Sequence, residues 1–187
     1  MAPVKILGIA GSLRRQSWNR AALRAAAELL PPETTLDSFE LAGLPLFSED
    51  DEKQPPAQVV EFKQRIRAAD AILIATPEYN YSIPGVLKNA IDWASRPYGD
   101  SAWSGKPVAV MGVSAGKLGT ARAQYHLRQV FVFLDMYPLN KPEVMIGPAS
   151  EVFDAQGQLS DAKTREHIRK QLEALVKWTR RLATNPG

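Results

Sequence analysis

A chain of 187 residues, 45% hydrophobic and 23% charged, suits one compact domain whose core needs no covalent staple. It has no cysteine, which excludes a disulfide framework, a thiolate nucleophile and a cysteine-ligated metal. A net charge of +3, with Lys and Arg dispersed apart from Arg14-Arg15 and Arg180-Arg181, favours anionic small molecules as much as nucleic acid.

Met1 to Lys5 leads straight into an apolar segment without the pattern of a secretion signal, and no apolar run approaches a membrane span. The expectation is a cytoplasmic protein. Residues 4–10 form a short apolar run ended by Gly11-Ser12, as a buried parallel strand requires. Residues 17–30 are rich in Ala, Leu and Arg and stop at Pro31-Pro32, which predicts a helix. Weaker alternation over 36–41 predicts a second strand. Residues 44–56 hold three prolines and the acidic run Glu49-Asp50-Asp51-Glu52, a solvated loop.

A helix over 57–69 precedes the clearest buried strand, 71–76, which Pro77 closes. Pro84 suits the first position of a helix with Val86, Leu87, Ala90, Ile91 and Ala94 inward. Residues 107–113 form a fourth strand ending in Ser114-Ala115-Gly116. A helix follows over 120–134, then a fifth strand within 137–146. Ser160 is the expected cap of the last helix, whose Ile168, Leu172, Leu175, Val176 and Leu182 make one stripe.

Strands alternating with helices predict a single α/β domain over 1–187, with a five-stranded parallel sheet covered on both faces. Five strands suit the order 2-1-3-4-5, in which ligands bind beyond the carboxyl ends of the strands. The segments after strands one, three and four therefore carry the functional expectation.

After the first strand, Gly11 and Ser12 are followed by Arg14, Arg15, Ser17 and Asn19 at a helix start. Hydroxyls, free backbone N–H groups, a guanidinium and a helix N-terminus together suit a phosphate dianion. Ser17 or Asn19 taken alone is equally consistent with a simple helix cap. The segment lacks the G-x-G-x-x-G of dinucleotide sites, and neither Gly105-Lys106 nor Gly116-Lys117 is followed by the hydroxyl a P-loop needs. A mononucleotide held by one terminal phosphate fits.

After the third strand, Pro77-Glu78-Tyr79-Asn80-Tyr81-Ser82-Ile83-Pro84-Gly85 combines stiff backbone, polar edges and two aromatic rings, as a flavin ring requires. Tyr79 and Tyr81 also suit partial core packing. Ser114, with glycines at 116 and 119, lets backbone approach a ring from the far side. His126 and His167 have no companion at metal-ligand spacing, and no metal is expected.

The segment 11–19, together with 77–93 (from Pro77-Glu78-Tyr79 through Asn89-Ala90-Ile91-Asp92-Trp93), resembles the NAD(P)H-dependent FMN reductase family, most of all its bacterial quinone, chromate and azo-dye reductases. The likeness covers nearly the whole chain. It implies a flavodoxin-like three-layer fold, bound FMN, NADPH or NADH as co-substrate, and hydride transfer through flavin N5 to small-molecule acceptors with no catalytic side chain. By position, Gly11, Ser12, Arg14, Ser17 and Asn19 would hold the phosphate. Pro77, Glu78, Tyr79, Asn80 and Ser82 would border the ring, with Ser114 and Gly116 completing the pocket. Many relatives carry adjacent glycines where this chain has Ser114-Ala115-Gly116.

The resemblance also implies a homodimer or homotetramer. The apolar run Val130-Phe131-Val132-Phe133-Leu134 suits a shared surface, and Arg122, Tyr125 and Glu143 are candidate polar contacts between subunits. A flavodoxin-type electron carrier would share the fold and FMN, but such carriers present an acidic face and this chain is net basic. No basic stripe with interleaved aromatics marks a nucleic-acid surface, and no membrane partner is expected.

Overall fold

The three apolar runs lie side by side as central strands of a parallel sheet in a computed structural model that describes residues 2–184. Met1 and residues 185–187 of the expected domain lie outside the described residues. The elements are β1 (Val4–Ala10), α1 (Trp18–Glu28), β2 (Thr34–Phe39), α2 (Ala57–Ala68), β3 (Ala71–Ala75) and α3 (Gly85–Ala94). They continue with β4 (Pro107–Val113), α4 (Ala121–Phe133), β5 (Tyr137–Pro138), β6 (Val144–Ile146), α5 (Ala149–Val152) and α6 (Ala162–Thr184). The order β2-β1-β3-β4-β5 is the one expected.

Every residue of β3 and β4 is buried, because helices cover both faces. Within these apolar runs the side chains still alternate. Ala71, Leu73, Ala75, Ala109, Met111 and Val113 join the core beneath α1 and α6. Ile72, Ile74, Val108 and Val110 join the core beneath α2, α3 and α4. Each buried Ile, Leu or Val adds about 1.5–3 kcal/mol, so the two half-cores dominate stability. On α1 the buried face is built from Ala21, Ala22, Ala25 and Ala26, and these small side chains let it lie close to both the sheet and α6.

Three boundaries differ from expectation. β2 spans Thr34–Phe39 rather than 36–41, because its register is set by pairing with β1 from Val4↔Thr34 to Ile9↔Phe39. The last helix is capped by Asp161 rather than Ser160: its Oδ2 accepts from the Thr164 N–H at 2.7 Å and from the Thr164 hydroxyl at 2.6 Å. Those bonds hold the Asp161 carboxyl below the usual carboxylate range.

The fifth strand is two short pieces. β5 pairs with the start of β4 and β6 with its end; the ladder runs on to Leu139, whose N–H donates to Val108 O at 2.8 Å, and residues 140–143 leave it. Pro142 lies inside that gap and has no N–H to donate. The carbonyl of Val110 would be stranded there. Gln171, 2% exposed on α6, donates Nε2 to it at 2.9 Å and to the Pro142 carbonyl at 3.1 Å. Gln171→Leu is expected to cost about 1–3 kcal/mol by leaving Val110 unpaired, read as a lower urea midpoint at unchanged slope.

Gly112 on β4 marks a second tight contact. A Cβ there would collide with Thr120 Oγ1 and the Thr76 carbonyl oxygen. Gly112→Ala is expected to destabilise by roughly 3 kcal/mol, and a thermal midpoint equal to the parent's would refute that packing argument.

Candidate active site

The strand ladder runs one residue beyond β1, β3 and β4. Gly11 N donates to Ala75 O at 2.9 Å, Thr76 N to Met111 O at 3.0 Å, and Ser114 N to Ile146 O at 3.1 Å. The three loops therefore leave the sheet from one level edge. Between them lies a cleft of about 240 Å³ at the carboxyl end of the sheet. Its walls come from Ser12, Arg14, Ser17 and Asn19 of the first loop, Pro77, Glu78 and Tyr79 of the second, and Ser114 of the third.

Ser12 and Ser17 are buried, 4% and 5% exposed, yet among the described residues neither hydroxyl donates to a protein acceptor. Ser17 caps α1, its Oγ accepting from Arg20 N at 3.4 Å. The N–H groups of Trp18 and Asn19 have no protein acceptor among the described residues, as the first turn of a helix leaves them, and neither has that of Gln16 before the cap. Arg14 is exposed, pairs with no carboxylate among the described residues, and places its guanidinium 5.3 Å from the centre of the Trp18 ring. Two buried hydroxyls, free amides and an exposed guanidinium are groups of the kind that bind a phosphate dianion.

Asn19 sits at the same helix start but faces inward. Its Nδ2 donates to Val113 O at 3.0 Å and its Oδ1 accepts from Val113 N at 2.9 Å, which leaves one N–H for a ligand. Gly11 contributes no lining side chain. It allows close packing instead, since a Cβ would lie 3.1 Å from Leu87 Cδ2.

The second loop is a tight turn. Tyr79 and Ser82 exchange backbone hydrogen bonds at 3.0 Å each. Asn80 and Tyr81 between them adopt φ of 50° and 67°, the mirror-image geometry of hairpin turns. Asn80 and Ser82 therefore stand on the turn beyond the cleft wall, and Ser82 Oγ meets His126 Nδ1 at 2.9 Å. Glu78 is committed to α4: its carboxylate accepts from Arg122 N at 3.0 Å, Ala123 N at 3.2 Å and the Arg122 guanidinium. Arg122 in turn stacks 3.8 Å from the centre of Tyr81. Arg122, one of three residues expected at a subunit contact, thus also bonds within its own chain.

In the third loop Ser114 Oγ bonds both ends of Gly116, at 3.2 Å to N and 3.2 Å to O. A Cβ on Gly147 would strike the Gly116 carbonyl oxygen, so this loop lies directly on the chain after β6. Gly116 is outside the cleft wall, and Val113 and Ala115 are part of it.

Sequence reading passed over Trp18 as a wall and over the role of Asn89 and Trp93. One turn apart on α3, these two hold the loop after β2: Asn89 Nδ2 and Trp93 Nε1 both donate to Pro45 O at 2.8 Å, and Asn89 Oδ1 accepts from Phe47 N at 2.8 Å. An Asn and a Trp four apart on one helix face was the available signal.

The doubly wound sheet, with a cleft at the carboxyl ends of β1, β3 and β4, defines a flavodoxin-like fold. The chain belongs to the NADPH-dependent FMN reductase family, whose model matches residues 4–151. It is 60% identical over 181 residues to an NAD(P)H-dependent FMN reductase of Pseudomonas aeruginosa, covering 96% of this chain and 97% of that protein. It is 47% identical over 173 residues to a quinone reductase of Pseudomonas putida, covering 92% of each. Among solved structures it superposes on the NAD(P)H:(acceptor) oxidoreductase FerB of Paracoccus denitrificans with a TM-score of 0.87 at 35% identity, covering 95% of this chain and 98% of that one. The protein is an oxidoreductase that uses FMN and NAD(P)H.

If the first loop holds the phosphate, Arg14→Ala and Ser17→Ala should each weaken FMN about tenfold while riboflavin affinity is unchanged, measured by flavin fluorescence titration. Both variants retaining full flavin through dialysis would overturn that assignment.

Proposed function

We propose that this enzyme carries out NAD(P)H-dependent reduction of quinones, with azo compounds and chromate as further acceptors, and that Ser12, Arg14, Ser17 and the α1 N-terminus hold the FMN phosphate. The observation that carries this reading is the pair of buried serine hydroxyls beside unpaired helix amides at the mouth of β1. The relatives support the acceptor class: besides the Pseudomonas putida protein, a 2-hydroxy-1,4-benzoquinone reductase of a Burkholderia species is 45% identical over 177 residues, covering 95% of this chain and 97% of that one.

When bound, FMN supplies two-electron chemistry, taking hydride from the coenzyme and delivering it to the acceptor. The protein's part is placement. Pro77 and the Glu78-anchored turn give the ring a stiff wall, and Val113, Ser114 and Ala115 give it another. Tyr79 and Tyr81, 52% and 68% exposed, leave a flat aromatic rim to which planar acceptors can stack. No residue is assigned as a proton donor, since solvent reaches this rim.

Self-association as a homodimer or homotetramer is part of the same reading. Val132 and Phe133 at the end of α4 are 81% and 74% exposed, an apolar patch a partner copy would cover. Tyr125 on that helix is pushed above its ordinary pKa by hydrogen bonding to the Glu143 carboxylate. Among the described residues no helix is long and apolar enough to cross a membrane, and we place the reaction in the cytoplasm beside its coenzyme supply.

Purified protein loaded with FMN should oxidise NADPH stoichiometrically with added 1,4-benzoquinone. A flavin that is retained but never bleached by NADPH or NADH would reject the reductase reading. Light scattering should report a dimer or larger, and Phe133→Asp should shift the mass toward the monomer.

A further inference from the structure

Two adjacent residues of the turn after β3, Asn80 and Tyr81, hold left-handed backbone with φ of 50° and 67°. A Cβ disfavours that geometry, and a side chain as large as Tyr seldom adopts it. Such conformations persist where the surroundings over-determine them, and they gather at functional sites.

The ties that hold this turn come from one helix. At its entry the Glu78 carboxylate accepts from the N–H groups of Arg122 and Ala123 at the start of α4. At its tip the Arg122 guanidinium lies 3.8 Å from the centre of the Tyr81 ring. At its exit Ser82 Oγ meets His126 Nδ1 at 2.9 Å, and His126 stands one helical turn after Arg122 on the same face of α4. The backbone pair between Tyr79 and Ser82 closes the turn on itself, and the three ties to α4 set how it leans.

Core packing does not explain the last tie, because His126 is exposed. Among the described residues neither Ser82 nor His126 makes another side-chain hydrogen bond, and whichever of the two donates, the other accepts. In the sequence His126 has no companion at metal-ligand spacing, so no other task claims it.

We infer that His126 is a positioning residue for the electron acceptor: through Ser82 it keeps Tyr81 in its left-handed geometry, with the ring standing on the rim of the cleft. The inference rests on the reading of Tyr79 and Tyr81 as the surface on which planar acceptors stack. Arg122 covers one face of the Tyr81 ring, and with the residue 68% exposed the other face is open to a flat molecule. Ser82 follows Tyr81 directly. Without its tie the backbone at 80 and 81 is free to relax toward negative φ, and the ring leaves the rim. The first loop forms the opposite wall and is untouched by that change.

The test compares steady-state kinetics of the FMN-loaded enzyme with 1,4-benzoquinone, which can stack, and with ferricyanide, which has no flat face to stack. His126→Ala should raise KM for benzoquinone about fivefold, the worth of one neutral hydrogen bond, while KM for ferricyanide and flavin content match the parent's. Ser82→Ala should raise KM for benzoquinone by a similar factor, and the double variant should be no worse than either single one, because both remove the same interaction. His126→Asn, which places a polar atom where Nδ1 stood, should recover most of the loss. An equal rise in KM for both acceptors, or a lowered thermal midpoint with both KM values unchanged, reduces His126 to a structural residue and overturns the inference. Additive effects in the double variant overturn it too. Tyr81→Ala separates this failure from that of the rim. If it raises KM for benzoquinone and His126→Ala does not, the inference fails and the rim stands; if Tyr81→Ala changes nothing, the rim reading fails and takes the inference with it.

Discussion

The cleft depends on one buried side chain, Asn19, whose carboxamide joins the first turn of α1 to the last residue of β4. It is 3% exposed and makes paired hydrogen bonds of 3.0 and 2.9 Å with the backbone of Val113. A buried amide without such partners costs about 1–3 kcal/mol, so the geometry tolerates little drift. The bond pair fixes the N-terminus of α1, where free amides gather, relative to the loop that leaves β4. The walls that the first and third loops give the cleft are thereby tied together across residues that are 94 apart in the chain.

A second helix start is fixed in the reverse sense. At α1 the first amides meet no protein acceptor among the described residues, while at α4 the protein supplies its own anion, the carboxylate of Glu78. Both uses follow from the unpaired N–H groups and partial positive charge that every helix N-terminus carries. Through Glu78 and the Arg122–Tyr81 stack, α4 holds the turn after β3 in its left-handed geometry. Stiff walls with an exposed aromatic rim match a flavoenzyme whose acceptors need only be flat, because the cofactor does the chemistry and the protein orients it.

Most of the architecture was legible because it rests on local signals. Apolar runs bounded by Gly, Pro and Ser identified β1, β3 and β4, and the stripe from Ile168 to Val176 identified α6. The errors fall where long-range pairing decides. β2 took its limits from β1, and the fifth strand broke after Leu139, a gap at which Gln171 from a distant helix supplies the donor to Val110. The cap at Asp161 rather than Ser160 turned on where α6 begins along the chain, which two adjacent cap-forming residues leave ambiguous.

At the site the division is similar. The sequence by itself determined the class of chemistry: hydroxyls, arginines and a helix start after one strand, and a stiff aromatic turn after another, are compositional demands of phosphate and ring that local motifs can carry. It also determined which loops would meet, since parallel strands order their own carboxyl ends. Only the tertiary structure decided which of those side chains line the cleft. Asn19 and Glu78, which line the cleft, also brace it through bonds to Val113 and α4, and Trp18 joins its wall, because a polar group's role depends on whichever partner it finds on burial. Those partners, Val113 and Arg122, are brought near by the fold and are invisible in local sequence.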